Sequence, residues 1–203
     1  MAGKDVKNLY HLGHARWYDF FKRYWNYLVS SKAEQELGRF LKKNLDKNAS
    51  ILELGCGTAL NLEKIDSMGL KFRKYVGVDF SPDMLRIARR KFKGESKVKF
   101  IEKDLTRLGM KGKFDIIICT WVLSHLECPS ELVNNAQGML KRDGKMFIIF
   151  FSRPKWYVNF FVYPFARLFS ANPVSKDEVK RFNKVKWIRS YSAGIATAMQ
   201  IHR

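Results

Sequence analysis

Ile51-Leu52-Glu53-Leu54-Gly55-Cys56-Gly57-Thr58-Ala59-Leu60-Asn61 is the stretch whose reading decides the fold. An apolar run carrying one acid, Glu53, breaks into two glycines spaced by one residue, and Thr58 leads on to Leu60, Leu62 and Ile65 at helical spacing. The pattern reads as strand, tight turn, helix. Gly55 and Gly57 have no Cβ, so the backbone there can take positive φ and a ligand can lie directly on the main chain. The helix that follows opens with unpaired N–H groups that suit an electron-rich partner. Such a turn is either a ligand platform or a device that only packs helix on strand.

Working outward, Tyr75-Val76-Gly77-Val78-Asp79 reads as a second strand closing on an acid 26 residues beyond Glu53. A carboxylate at the end of a second strand can accept both hydroxyls of a ribose. Ser81 predicts an N-cap and Pro82 the first position of a helix, where a missing N–H costs nothing. Val98 to Glu102 is the third strand, followed by Asp104-Leu105. Phe114-Asp115-Ile116-Ile117-Ile118-Cys119-Thr120 is a near-continuous apolar run, as expected of a parallel strand buried on both faces. The chain Thr120 to Leu126 then opens a loop containing His125, a candidate base because imidazole titrates near neutrality. A purely structural histidine is the competing reading.

Pro129, Ser130, Leu132 and Leu140 predict a helix ending near Arg142-Asp143-Gly144, with strand five over Lys145 to Ser152. Ser175 to Phe182 predicts a short helix, and Val185 to Ser190 with Gly194 to His202 an antiparallel closing hairpin. Upstream, Trp17, Phe20, Phe21, Tyr24 and Leu28 follow helical spacing and predict an aromatic face. A second helix is expected over Ser31 to Leu45, capped by Ser30 or Ser31 with Glu34 completing a capping box.

Composition bounds the partners. The chain has 203 residues, is 46% apolar and carries a formal charge of +19, which suits one globular domain with a sizeable core and an acidic partner or a solvated, heat-tolerant surface. Lys141 to Arg203 holds 13 Lys and Arg against 3 Asp and Glu. Cys56, Cys119 and Cys128 form neither a paired framework nor a zinc-ligand spacing, which favours a reducing, cytoplasmic setting. Met1 to Asp19 has no apolar core of the secretory type, and no stretch is apolar enough to span a bilayer. No metal-ligand cluster or serine or cysteine triad spacing stands out.

The glycines discriminate between cofactors. A dinucleotide fingerprint wants glycine at the first, third and sixth positions, whereas this chain has Gly55, Gly57 and Leu60. Glu53-Leu54-Gly55-Cys56-Gly57 instead resembles the first motif of class I S-adenosylmethionine-dependent methyltransferases, with Ala59 where a third glycine is common. Val78-Asp79-Phe80-Ser81-Pro82-Asp83-Met84-Leu85 is similar to the second motif of that family. The resemblance implies a doubly wound, mostly parallel seven-stranded α/β sheet in the order 3-2-1-4-5-7-6, the last strand antiparallel. It implies S-adenosyl-L-methionine as cofactor and S-adenosyl-L-homocysteine as product.

The resemblance also assigns residues. Glu53 would help hold the methionine end, with Gly55, Cys56, Gly57 and Thr120 in the binding set. Asp79 would bind ribose, Phe80 and Met84 would flank the adenine, and Asp104 with the Leu105 N–H would read its edge. Tyr18, in a Tyr-Asp pair frequent in the family, and His125 would face the acceptor, although the aromatic stripe around Tyr18 also reads as core. Residues 1–48 would form a helical cover, 49–152 the cofactor core, and 153–203 a basic, aromatic segment with the closing hairpin.

Within that last segment, Arg153 to Phe169 is aromatic and punctuated by Arg153, Lys155 and Arg167. It reads either as a surface-lying membrane element or as the roof of an apolar acceptor pocket. With the Phe-Ser-Arg-Pro turn and the Ser192 to Arg203 ending, it loosely resembles the quinone-ring and phospholipid N-methyltransferase branches. The expectation is therefore methyl transfer to a small-molecule or lipid-like acceptor, peripheral to an anionic membrane. An RNA methyltransferase, motivated by charge alone, and a cofactor-binding protein without turnover are the alternatives.

Overall fold

The computed structural model describes residues 30–158, 160, 162, 166 and 171–203. The aromatic face of Trp17 to Leu28 and the Tyr18 assignment lie outside the described residues. Seven strands, β1 (Ser50–Leu54), β2 (Lys74–Asp79), β3 (Val98–Glu102), β4 (Phe114–Thr120), β5 (Leu140–Phe151), β6 (Val185–Tyr191) and β7 (Ala196–His202), form one sheet in the order β3-β2-β1-β4-β5-β7-β6. The pairs from β3 to β5 are parallel, and β7 runs antiparallel between β5 and β6. This is the expected order and hand of pairing.

Alternation along the strands feeds two cores. Leu52, Leu54, Val76, Val78, Ile117 and Ile148 point to one face, where Leu132, Val133 and Ala136 of helix α4 (Pro129–Gln137) cover them. Ile51, Tyr75, Ile116, Ile118, Phe147 and Ile149 point to the other, beneath helices α1 (Ser31–Asn44) and α2 (Leu60–Ser67). In α1 the buried residues Ala33, Leu37, Phe40 and Leu41 lie on one stripe, and the Phe40 ring meets Phe147 with centroids 5.0 Å apart. Helix α3 (Pro82–Lys91) starts as predicted, the Ser81 hydroxyl accepting the Met84 N–H at 3.3 Å and Pro82 following the cap. The short helix α5 (Lys176–Lys180) is capped by Ser175.

Two local expectations are corrected. Strand β5 begins at Leu140, not Lys145, because Leu140 pairs with Phe114 and the next register pair is Ile116 with Lys145. The polar run Lys141 to Gly144 is taken up as an irregularity inside the strand rather than as the end of α4. A Cβ on Gly144 would stand 2.9 Å from both the Lys141 N and the Phe114 O, so only glycine fits that irregularity. Glu34 does not close a capping box. Ser30 is the N-cap without a side-chain cap bond, and the Glu34 carboxylate instead accepts Lys64 Nζ of α2 and the Trp121 indole N–H, the latter at 3.3 Å.

Candidate cofactor site

Parallel pairing puts the C-terminal ends of β1 to β4 on one edge of the sheet, and strand order reverses between β1 and β4. Open α/β sheets bind ligands at that crevice. The glycine turn leaves β1 here and folds toward β2, the Val78 carbonyl accepting the N–H groups of Gly55 at 2.8 Å and Cys56 at 3.0 Å. Gly55, Gly57 and Ala59 all have positive φ, +69°, +52° and +66°. Ala59, where the resemblance implies a third glycine, adopts the left-handed conformation, and its methyl is fully buried. The turn therefore keeps its shape at the cost of local strain.

The two glycines serve different neighbours. A Cβ on Gly55 would stand 2.1 Å from Val122 Cγ2, so this glycine admits the loop after β4. A Cβ on Gly57 would meet no atom within 4 Å, so the main chain there is bare and faces open space. Such a cradle fits a ligand laid against the backbone.

The two acids flank this cradle. Asp79 is 7% exposed and spends one acceptor position on each oxygen: Oδ2 takes the Gly57 N–H at 2.8 Å and Oδ1 the Ser81 N–H at 2.9 Å. Glu53 is buried on the α1 and α2 side of the sheet. Its Oε1 accepts Asn61 Nδ2 at 2.8 Å and its Oε2 accepts the Tyr75 hydroxyl, while Asn61 Nδ2 also donates to Thr120 Oγ1 at 2.9 Å. Both acids thus lie at the turn with their oxygens held by donors from neighbouring elements.

Ionisation follows from this crowding. Burial, then the Glu53 and Asp79 carboxylates, push the Cys56 thiol well above its ordinary value. Burial and Glu53 do the same to the Tyr75 hydroxyl, and burial and Glu53 to the Cys119 thiol. These three groups stay protonated near neutral pH, which makes Tyr75 a permanent donor.

The remaining predicted residues fall along the same edge. Phe80 is half-buried after Asp79, and Met84 is buried in the first turn of α3. Asp104 is exposed and caps a single turn, Leu105–Arg107, by accepting the Thr106 N–H at 2.9 Å, with Leu105 buried beneath it. Lys103 N–H donates to the Asp79 carbonyl at 2.8 Å, which ties that turn to the end of β2. His125 closes the turn Leu123–His125 in the loop after β4, with its Nδ1 buried. Trp121, which opens that loop, has φ +65°, a strained value for a bulky side chain, and is held by its N–H to the Ile149 carbonyl at 2.7 Å and by Glu34. Among the described residues no group of acids, histidines and cysteines could hold a metal ion.

Residues 52–148 match a family described as "Methyltransferase domain". They span the glycine turn, both acids and the loop after β4. The match takes in just under half of the chain, within a sheet of the Rossmann-like methyltransferase order.

The chain is similar to the mitochondrial ubiquinone biosynthesis O-methyltransferase of Saccharomyces cerevisiae, with 28% identity over 152 residues, 70% of this chain and 47% of the yeast protein. It is also similar to the malonyl-[acyl-carrier protein] O-methyltransferase of Bacillus cereus, with 31% identity over 61% of this chain and 45% of that protein. The chain thus spans about half the length of these relatives. Among solved structures it superposes on the N-methyltransferase NodS of Bradyrhizobium japonicum, crystallised with S-adenosyl-L-homocysteine, at a TM-score of 0.66 and 15% identity over 86% of each chain. A methyltransferase in complex with the Trm112 activator of Haloferax volcanii gives a TM-score of 0.74 at 13% identity over 98% of each chain. At these identities the superpositions speak for the fold.

Sequence reasoning missed Asn61 and Tyr75. Asn61 lies in the first turn of α2, one turn beyond the glycines, and a polar residue among Leu60, Leu62 and Ile65 was the available signal. Tyr75 gave none, because a tyrosine opening an apolar strand reads as ordinary β-sheet filling.

Proposed function

We propose that this chain transfers a methyl group from S-adenosyl-L-methionine to a small, lipid-like acceptor, a quinone-type ring hydroxyl in first place and a phospholipid amine in second, at an anionic membrane surface. The carrying observation is the segment after β5. Val158, Val162 and Ala166 pack inward with Trp121, Phe151 and Ile195, beside the loop after β4. Trp156, 86% exposed, and Phe160, 81% exposed, point outward with half-exposed Tyr157, next to exposed Arg153 and Lys155. Aromatic side chains beside cations suit the headgroup level of an anionic leaflet. The segment would carry an apolar acceptor from that surface to the site it borders. Among the described residues no helix is long and apolar enough to cross a membrane.

The cofactor, when bound, supplies a sulfonium-activated methyl that needs only an aligned nucleophile. In this reading Gly57 gives it bare main chain and Gly55 lets the loop after β4 close against the turn, with Cys56 between them. Glu53 and Thr120 hold the methionine end, Asp79 the ribose hydroxyls, Phe80 and Met84 the adenine faces, and Asp104 with the Leu105 N–H the adenine edge. Trp121 and the segment it packs on exclude water. His125 would take the proton of a ring hydroxyl, with Tyr18 as a second acceptor-facing group. An amine acceptor would need only to arrive unprotonated.

The test is methyl-labelled cofactor offered with a catechol-type quinone precursor or phosphatidylethanolamine in anionic vesicles, or with purified RNA. Label in either lipid-phase acceptor, weakened by salt and by Trp156→Ser with Phe160→Ser, supports the reading. Label in RNA alone overturns it.

A further inference from the structure

We infer that Tyr75 is a positioning residue for cofactor binding: its buried hydroxyl holds Glu53 as an aimed acceptor for the ammonium group at the methionine end. The inference rests on the cofactor reading above and adds a residue that no sequence motif contains. It begins with register. Tyr75 pairs with Ile51 across β1 and β2, so its side chain lies on the same face as Glu53, two residues further along β1. The ring is fully buried and wedged against Phe100 edge-on, centroids 6.0 Å apart, and against Phe72 at 6.3 Å. From that fixed base the hydroxyl reaches Glu53 Oε2.

A buried carboxylate keeps one orientation only when its oxygens are hydrogen-bonded. Here Oε1 is held from α2 by Asn61 and Oε2 from β2 by Tyr75, so the carboxylate plane is set from two elements at once. Asn61 spends its second N–H on Thr120 at the end of β4, which ties the orientation to the strand that leads into the acceptor loop. Cys56, Cys119 and Asp79 interact electrostatically with this cluster, Arg89 acts on Cys56, and both thiols are kept neutral by burial and by Glu53. With both thiols and the phenol protonated, Glu53 and Asp79 are the acids of this cluster. A cationic ligand group meets one placed carboxylate in front of the glycine turn.

A structural role and a positioning role separate by ligand. S-adenosylhomocysteine carries the amino-acid end, whereas 5′-methylthioadenosine has the same nucleoside and sulfur without it. Wild type, Tyr75→Phe, Asn61→Ala, Glu53→Gln and the Tyr75→Phe/Glu53→Gln pair would be titrated calorimetrically with both. Tyr75→Phe keeps the packed ring, and Asn61→Ala removes the other donor should the first variant fold poorly. The expected result is an about tenfold loss of S-adenosylhomocysteine affinity in Tyr75→Phe, the scale of one charged hydrogen bond, with 5′-methylthioadenosine unchanged. In the Glu53→Gln background Tyr75→Phe should add little. Equal losses for both ligands, wild-type affinity in both single donor variants, or full additivity with Glu53→Gln would each overturn the inference. Wild type that binds neither ligand would overturn the cofactor reading and the inference with it.

Discussion

Replacing Gly57 with valine should separate folding from ligand binding. Gly57 has φ +52°, and its missing Cβ would project into open space. The substitution therefore costs the left-handed strain of an L-residue, about 1–2 kcal/mol, without a packing clash. In a chain of this size that lowers the melting temperature by about 2–8 °C. The two added methyl groups stand where a cofactor must approach the main chain, so S-adenosylhomocysteine affinity should fall by about a hundredfold or more, roughly 2.7 kcal/mol. Gly55→Ala is the internal contrast. Its methyl would sit 2.1 Å from Val122 Cγ2, so it should destabilise the fold by about 2–5 kcal/mol from overpacking plus strain, with Val122→Ala restoring part of the loss. Thermal melts and calorimetric titration of both variants read the two effects. A folded Gly57→Val protein that binds S-adenosylhomocysteine with wild-type affinity would refute the placement of the cofactor over this turn.

Asp79→Ala strands the Gly57 and Ser81 N–H groups and removes the proposed ribose acceptor, so cofactor affinity should fall by about 2–4 kcal/mol in the same titration. Burial tends to raise the Asp115 carboxyl, but hydrogen bonds from Lys141 Nζ at 2.7 Å and from the Ser50 N–H and hydroxyl outweigh it and hold the group below 3.8. A carboxyl lowered in the folded state contributes stability above its unfolded value and loses it as pH falls through the folded one. Acid unfolding should therefore be flatter below about pH 4 in Asp115→Asn than in wild type. Of the three cysteines, Cys56 and Cys119 are buried with thiols pushed up, while Cys128 is exposed. A thiol reagent at neutral pH should label one site per native chain, at Cys128, and three after unfolding.

The fold was legible where local chemistry and period agreed. The glycine turn, the acid closing β2, the Ser81-Pro82 start of α3 and the buried run of β4 each carry their own signal, whereas the strand order was implied only by the family resemblance. What stayed hidden depends on register and on partners far along the chain. Tyr75 reaches Glu53 only because β1 and β2 pair with Ile51 opposite Tyr75. Glu34 has the spacing of a capping box, yet a tertiary lysine and an indole compete for it more strongly than its own helix end. Lys141 to Gly144 reads as a turn because it is polar. In the sheet, Lys141 pairs with Asp115 at 2.7 Å and Gly144 lets the strand fold past its own backbone. The acceptor is legible only as a surface, since the apolar and cationic residues around Trp156 state a chemistry and no one molecule.

The most direct measurement is titration of the purified chain with S-adenosyl-L-methionine and S-adenosyl-L-homocysteine, wild type beside Asp79→Ala. Saturable binding of both at one site per chain, lost or strongly weakened in the variant, is the predicted result. Absence of binding in the wild type, or equal binding in the variant, would contradict a cofactor site built on the glycine turn and Asp79.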